Sequence, residues 1–174
     1  MKLISGGVCA AQGFKASGIH CGIRRNHSKK DLALIVSEVP ASAAAVYTTN
    51  LVKGAPLTVT KNNIADGIAQ AVICNSGNAN TCNWNGIEIA EGMCALVEQH
   101  TGISAKNVVV ASTGVIGQVL DLIWVWPWVL WASWPIWATA SPREAPFPPM
   151  PWAPASSAPS WSSLPVSPLM RPWL

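Results

Sequence analysis

Two short polar stretches, each following an apolar run, are where this chain could do chemistry. Ser112-Thr113-Gly114 comes directly after Asn107-Val-Val-Val-Ala111. A glycine at this point lets the backbone turn so that successive N–H groups point into one space. Such a nest can hold an anion or the developing oxyanion of an acyl transfer, where each preorganised donor contributes about 3 to 4 kcal/mol. Ser, Thr and Gly are also ordinary turn residues, so a plain strand-ending turn competes with that reading. The second stretch, Asn75-Ser-Gly-Asn-Ala-Asn80, follows Ala69-Gln-Ala-Val-Ile-Cys74. Asn and Gly tolerate left-handed backbone and Asn ties loops by side-chain hydrogen bonds. The stretch is therefore either a structural turn or a rigid polar wall beside a reacting carbonyl. No HExxH, GxGxxG, GxxxxGK[ST], paired-carboxylate or nucleic-acid motif occurs, which leaves metalloprotease, dinucleotide, P-loop and nucleic-acid readings without support.

The elements that must carry these loops follow from residue pattern. Gly13-Phe14-Lys15-Ala16-Ser17-Gly18-Ile19 is glycine-punctuated and suits extended segments with tight turns. Asp31-Leu-Ala-Leu-Ile-Val36 is a short apolar run and predicts a buried strand. Ala45-Val-Tyr-Thr-Thr49 and Leu57-Thr-Val-Thr60 are rich in β-branched or aromatic residues and predict two more strands, with Pro40 and Pro56 between or at the edges. Residues 69–74 and 107–111 predict strands that lead into the two polar stretches. Between them, Ile87, Ala90, Met93 or Cys94, and Val97 recur at spacings of three or four, which predicts an amphipathic helix over 87–100 stopped by Gly102. Strands with one clear helix imply an α/β or α+β domain of layered strands and helices.

At 174 residues the chain is long enough to bury a core without disulfides or a metal. Its formal charge of +3 is thinly spread, the one tight basic cluster being Arg24, Arg25, Lys29 and Lys30 around His27. That cluster reads as a solvated loop or as an anion site. Cys9, Cys21, Cys74, Cys82 and Cys94 are odd in number, with no CxxC pair and no histidine at zinc-ligand spacing, so free thiols and no metal are expected. The amino terminus lacks the apolar core of a secretory signal, and a cytoplasmic protein is the expectation.

Composition changes abruptly near residue 122. Every glycine, lysine, cysteine and histidine precedes that point, whereas nine of ten tryptophans and twelve of fourteen prolines follow it. No ordinary globular continuation is composed this way. Two regions are therefore expected: a domain over 1–122 and an unstructured, Trp/Pro-rich tail over 123–174. Residues 122–139 form an uncharged run long enough to span a membrane, but Pro127 and Pro135 interrupt it and its tryptophans are not confined to the ends. The preferred account is out-of-frame translation: TGG arises wherever a codon ending in TG precedes one starting with G, so a Leu/Val/Ala/Gly-rich stretch read one base off becomes Trp-rich and lysine-free.

The motifs Gly13-Phe14-Lys15-Ala16-Ser17-Gly18, Asp31-Leu-Ala-Leu-Ile-Val36, Val46-Tyr-Thr-Thr-Asn50, Ala55-Pro56, Asn75-Ser-Gly-Asn-Ala-Asn80 and Ser112-Thr-Gly-Val-Ile-Gly117 stand in this order and spacing. Together they resemble the amino-terminal, α-chain part of the ornithine acetyltransferase (glutamate N-acetyltransferase) family of arginine biosynthesis, from about residue 6 to residue 122. The resemblance implies acetyl transfer from N-acetylornithine to glutamate, some members also using acetyl-CoA as co-substrate, with no other cofactor. It implies autocatalytic cleavage into α and β chains, assembly of two of each into a heterotetramer, and an acetyl intermediate on the β chain's amino-terminal threonine, whose own amine can act as base. Carried onto matching positions, Thr113 and Gly114 are the oxyanion-hole pair. The family's Met-Thr-Thr-Asp-Thr type nucleophile motif has no counterpart here, and Thr139 lies in an unrelated Trp-Ala-Thr-Ala-Ser context. A truncated, inactive fragment without its β chain is therefore expected. The competing functions are a non-catalytic anion-binding module and a membrane-attached Trp-rich protein.

Overall fold

The apolar run after Asp31 forms the second strand of a four-stranded sheet. The computed structural model describes residues 5–26 and 28–122, together with Val125 and Val129. After a 3-10 turn at Gly7–Ala10, the elements are β1 (Phe14–Ile19), β2 (Leu32–Ser42), α1 (Ala55–Asn63), β3 (Ile68–Asn78), α2 (Gly86–Thr101) and β4 (Val108–Val115), with a second 3-10 turn at Ala105–Asn107. The strands lie in the order β1-β2-β3-β4. β1 with β2 and β2 with β3 are antiparallel, whereas β3 and β4 are parallel. A parallel pair needs a long crossover, and α2 supplies it. The layered mixture of strands and helices expected from the pattern is the architecture observed.

Alternation along the strands builds the core. Leu32, Leu34 and Val36 of β2, Ala71 and Ile73 of β3, and Val108 and Val110 of β4 are buried, and their neighbours in between are only partly so. The buried set joins Val59 of α1 and Ile89, Ala90, Met93, Cys94 and Val97 of α2 in one apolar cluster. α2 matches the predicted helix to within a residue at each end, although Ile87 is exposed and Ile89 takes its place in the core. Its stop is as expected: Gly102 adopts φ 74° and donates its N–H to the Glu98 carbonyl at 2.9 Å.

Two predicted strands do not form. Residues 45–49 have no regular structure, and Val46 is almost fully exposed, with no neighbouring strand to pair against. Residues 57–60 lie in α1, which opens with Ala55 and Pro56 in its first turn, where proline's fixed φ is pre-set for a helix. Tertiary contact overrides the β-branched propensity of this segment. The Thr60 hydroxyl donates to the Val110 carbonyl at 2.9 Å and accepts from the Val110 N–H at 3.1 Å, and Asn63 Nδ2 donates to the carbonyls of Ala105 and Val108. α1 thus satisfies backbone groups along the outer edge of β4, which would otherwise be buried and unpaired.

Pro40 falls inside β2, where the β2–β3 register slips between Val36 and Ala41, so its missing N–H interrupts no regular ladder. Leu122 packs on α2 so closely that a Cβ on Gly92 would lie 2.4 Å from Leu122 Cδ1. Val125 and Val129 are also buried in the apolar cluster, and the Val125 N–H donates to the Leu122 carbonyl at 2.9 Å. The rest of the Trp/Pro-rich stretch over 123–174 lies outside the described residues, as does His27. No described helix is long and apolar enough to cross a membrane.

Candidate functional site

The parallel β3–β4 pair brings the two polar stretches of the sequence side by side. Asn75 pairs with Ser112, Ser76 with Thr113 and Gly77 with Gly114, and the register then slips so that Asn78 faces both Thr113 and Val115. The sequence places both stretches after their strands, as turns or as an anion nest and a polar wall. The structure corrects this: β3 continues to Asn78 and β4 to Val115, because each supplies the other's ladder partner.

Gly77 and Gly114 mark the irregularity, with φ of 105° and 134°. A Cβ on Gly114 would lie 2.3 Å from the Gly77 carbonyl carbon and 2.6 Å from the Asn78 nitrogen, so only a residue without one fits. Thr113 and Gly114 are exposed. Thr113 stands at the rim of an open cavity of about 360 Å³, whose lining includes Gly18, Lys30, Asp31, Cys74 and Ser76. By strand alternation, Ser76 and Thr113 leave the sheet on the face away from Ile73 and Val110, and hence away from the helices.

The asparagines act as a clamp. Asn75 Nδ2 donates to the Asn78 carbonyl, Asn78 Oδ1 accepts the Asn80 N–H, and Asn80 Nδ2 donates to the Gly86 carbonyl at the start of α2. Asn78 Nδ2 and Asn83 Nδ2 both donate to the Gln118 carbonyl, which ties the segment after β4 to the segment after β3. Asn80 is fully buried at φ 48°, a left-handed conformation that asparagine tolerates. Behind the sheet, Asn75 Oδ1 and Ser112 Oγ are buried without a hydrogen-bond partner, on residues that are register neighbours.

The opposite wall depends on Asp31, which the sequence marked only as the start of an apolar run. Its carboxylate, fully buried, accepts the Cys21 N–H at 2.6 Å and the Arg24 N–H at 2.9 Å, and lies 3.0 Å from His20 Nδ1. Burial alone would raise its pKa, but the two backbone donors, the Cys21 thiol and His20 outweigh it and hold the carboxyl below its ordinary value. The Cys21 thiol is pushed up to about 12, first by burial and then by the Asp31 charge, so it is no nucleophile at neutral pH. Burial likewise raises Cys74 and takes Cys94 to about 11. All five cysteines are free thiols, as expected from their number and spacing. Among the described residues no group of three or more His, Cys, Asp or Glu side chains is arranged to hold a metal ion.

The profile of the ArgJ family matches residues 15–129. The chain belongs to the ArgJ family. Arginine biosynthesis bifunctional protein ArgJ of Bacillus anthracis is 49% identical over 123 residues, which are 70% of this chain and 30% of that protein. The same-named protein of Halalkalibacterium halodurans is 49% identical over 124 residues, again 70% and 30%. Among solved structures, the crystal structure of arginine biosynthesis bifunctional protein ArgJ from Bacillus halodurans superposes with a TM-score of 0.68 at 46% identity, covering 72% of this chain and 65% of that one. Ornithine acetyltransferase from Mycobacterium tuberculosis, crystallised with ornithine, gives 0.66 at 36% identity, covering 72% and 68%. The chain thus spans about 30% of the length of the curated ArgJ relatives it matches. The ArgJ match extends past Leu122 to residue 129, the position of the buried Val129.

Proposed function

We propose that this chain carries the oxyanion-binding part of an arginine-biosynthesis acetyltransferase that moves an acetyl group from N-acetylornithine to glutamate. Thr113 and Gly114 are the donors. In the first half-reaction a threonine hydroxyl from the segment this chain does not match attacks the acetyl carbonyl. A C–O bond forms, the carbonyl oxygen takes up negative charge beside Thr113 and Gly114, and the C–N bond to ornithine breaks as its amine takes a proton. In the second, the glutamate amine attacks the acetyl-threonine ester, the same oxygen is charged again, and the threonine hydroxyl is regenerated. A donor placed for the charged oxygen accelerates both steps.

The observation that carries this reading is the close approach of Gly114 to Gly77. It bends β4 where Thr113 reaches the cavity rim and leaves Thr113 and Gly114 exposed, as an oxyanion site requires. The reading extends to a β chain that supplies the nucleophile, a heterotetramer of two α and two β chains, a cytoplasmic location, and acetyl-CoA as possible co-substrate. The 174-residue chain alone, with no threonine in the nucleophile motif, then transfers no acetyl group.

The test is a chimera in which residues 1–122 replace the matching segment of the Halalkalibacterium halodurans ArgJ protein. Acetyl transfer that depends on Thr113 supports the reading. A chimera whose Thr113→Ala variant turns over normally removes Thr113 from the site.

A further inference from the structure

Arg24, at the start of the basic run, lies over the end of β3 beside Gly77 and Ser76. Its backbone is pinned by the N–H donated to Asp31 Oδ2 at 2.9 Å. Its side chain lies across Gly77, where a Cβ would be 2.7 Å from Arg24 Cγ, and its Nη1 reaches Ser76 Oγ at 3.5 Å. Ser76 and Thr113 are register partners on adjacent strands. No described carboxylate pairs with the Arg24 guanidinium, because the Asp31 carboxylate is taken up by the Cys21 and Arg24 N–H groups and by His20. Arg24 as a residue is half-buried. Lys30 lines the cavity together with Ser76 and Thr113, its Cδ 3.4 Å from where a Gly18 Cβ would stand, and Arg24 borders that cavity through its contact with Ser76.

We propose that Arg24 is the anchor for the α-carboxylate of an N-acyl amino acid whose acyl carbonyl meets Thr113, with Lys30 of the cavity lining as a second positive charge. This rests on the acetyl-transfer reading, since donor and product both carry an N-acetyl group and a free carboxylate on one α carbon. In such a molecule the acyl oxygen and the carboxylate carbon are four bonds apart, which bond lengths limit to about 4 to 5 Å. Adjacent strands are spaced about 4.8 Å apart, so a molecule with its carbonyl at Thr113 is long enough for its carboxylate to reach Ser76 and the guanidinium beside it. A planar guanidinium binds a carboxylate through two parallel N–H donors, which fixes the rotation of the acyl group as well as its position. Gly77 acquires a second role: its missing side chain is what lets the arginine lie flat against β3.

The experiment uses the 174-residue chain and two probes, N-acetyl-L-ornithine and its α-carboxamide, titrated by NMR in low salt. The acid should bind about tenfold tighter than the amide, and the preference should shrink as ionic strength rises. Arg24→Met, which keeps an unbranched stem over Gly77, should bring the ratio close to one at unchanged thermal stability, and Arg24→Lys should restore part of it. Thr113→Ala should leave the ratio intact. An equal loss for acid and amide in Arg24→Met would mean a merely structural role, and no binding of either probe by the parent chain equally overturns the proposal. So does inorganic phosphate that displaces the acid fully at equal concentration, which would make this a general anion site. An unaffected ratio in Arg24→Met beside a Thr113-dependent chimera removes the arginine and keeps acetyl transfer, whereas the reverse result keeps the carboxylate site and removes Thr113.

Discussion

Gly77 and Gly114 oppose each other across the parallel β3–β4 pair so closely that a Cβ on Gly114 would lie 2.7 Å from the Gly77 Cα. Both hold positive φ, so each is constrained by its own backbone as well as by its neighbour. Gly114→Ala should therefore cost about 1 to 3 kcal/mol from conformation alone and more from the clash, because the atoms it meets are backbone and cannot rotate away. Thermal unfolding of the variant checks this, and an unchanged midpoint would show that the strands can separate there without penalty.

Thr113→Ala should behave in the opposite way. Thr113 is exposed and beyond the core, so its loss should leave the midpoint nearly unchanged. If its donor meets the oxyanion, the turnover number of the chimera should fall by about 10² to 10³ while the Michaelis constant moves much less, since the contact strengthens only as charge develops. A loss of stability with normal turnover in the folded fraction would make Thr113 a strand residue and nothing more.

The buried hydroxyl of Thr60 serves both the N–H and the carbonyl of Val110. Thr60→Val keeps the shape and removes both partners, stranding two backbone groups at the β4 edge. A loss of about 1 to 3 kcal/mol is expected, and urea unfolding measures it. Faster amide exchange at Val110 should accompany the loss, and an exchange rate equal to that of the parent chain would show that the edge is satisfied in some other way.

That contact also explains why α1 was hidden from a reading of the sequence. Leu57-Thr-Val-Thr60 has strand composition, and what makes it helical is an edge 50 residues away that needs Thr60 and Asn63 on one helical face. α2 was legible because its periodicity and its stop at Gly102 are local. The two polar stretches were legible as sites of interest, but not their junction, which depends on the parallel pairing that α2 permits. Arg24 was visible only as part of a basic run. Its approach to Ser76, 52 residues on, requires the 20–31 loop to fold back, and the pin that does so is a buried aspartate whose part in that loop no local pattern reveals.

Asp31 gives the acid sensitivity of this arrangement. Its folded pKa lies below the ordinary 3.8 that it has when unfolded, so the folded state prefers the charged form. The stability this contributes is fully present above about pH 4 and is lost as pH falls through the folded pKa, when the carboxylate gains a proton and gives up acceptor capacity toward the Cys21 and Arg24 N–H groups. Asp31→Asn should remove that part of the pH dependence. One amide oxygen can accept from one of the two N–H groups, but the NH₂ then faces the other donor, so a buried hydrogen bond is lost at every pH, costing about 1 to 3 kcal/mol. Unfolding midpoints from pH 3 to pH 7 should therefore fall toward acid in the parent chain and run lower and flatter in Asp31→Asn. Because the same carboxylate pins the Arg24 backbone, the variant's preference for acid over amide should also weaken at pH 7, where the parent chain is at full stability with respect to this group. Parallel midpoint curves for the two proteins would show that the acid limb is set by other carboxylates and that Asp31 holds the loop by geometry alone.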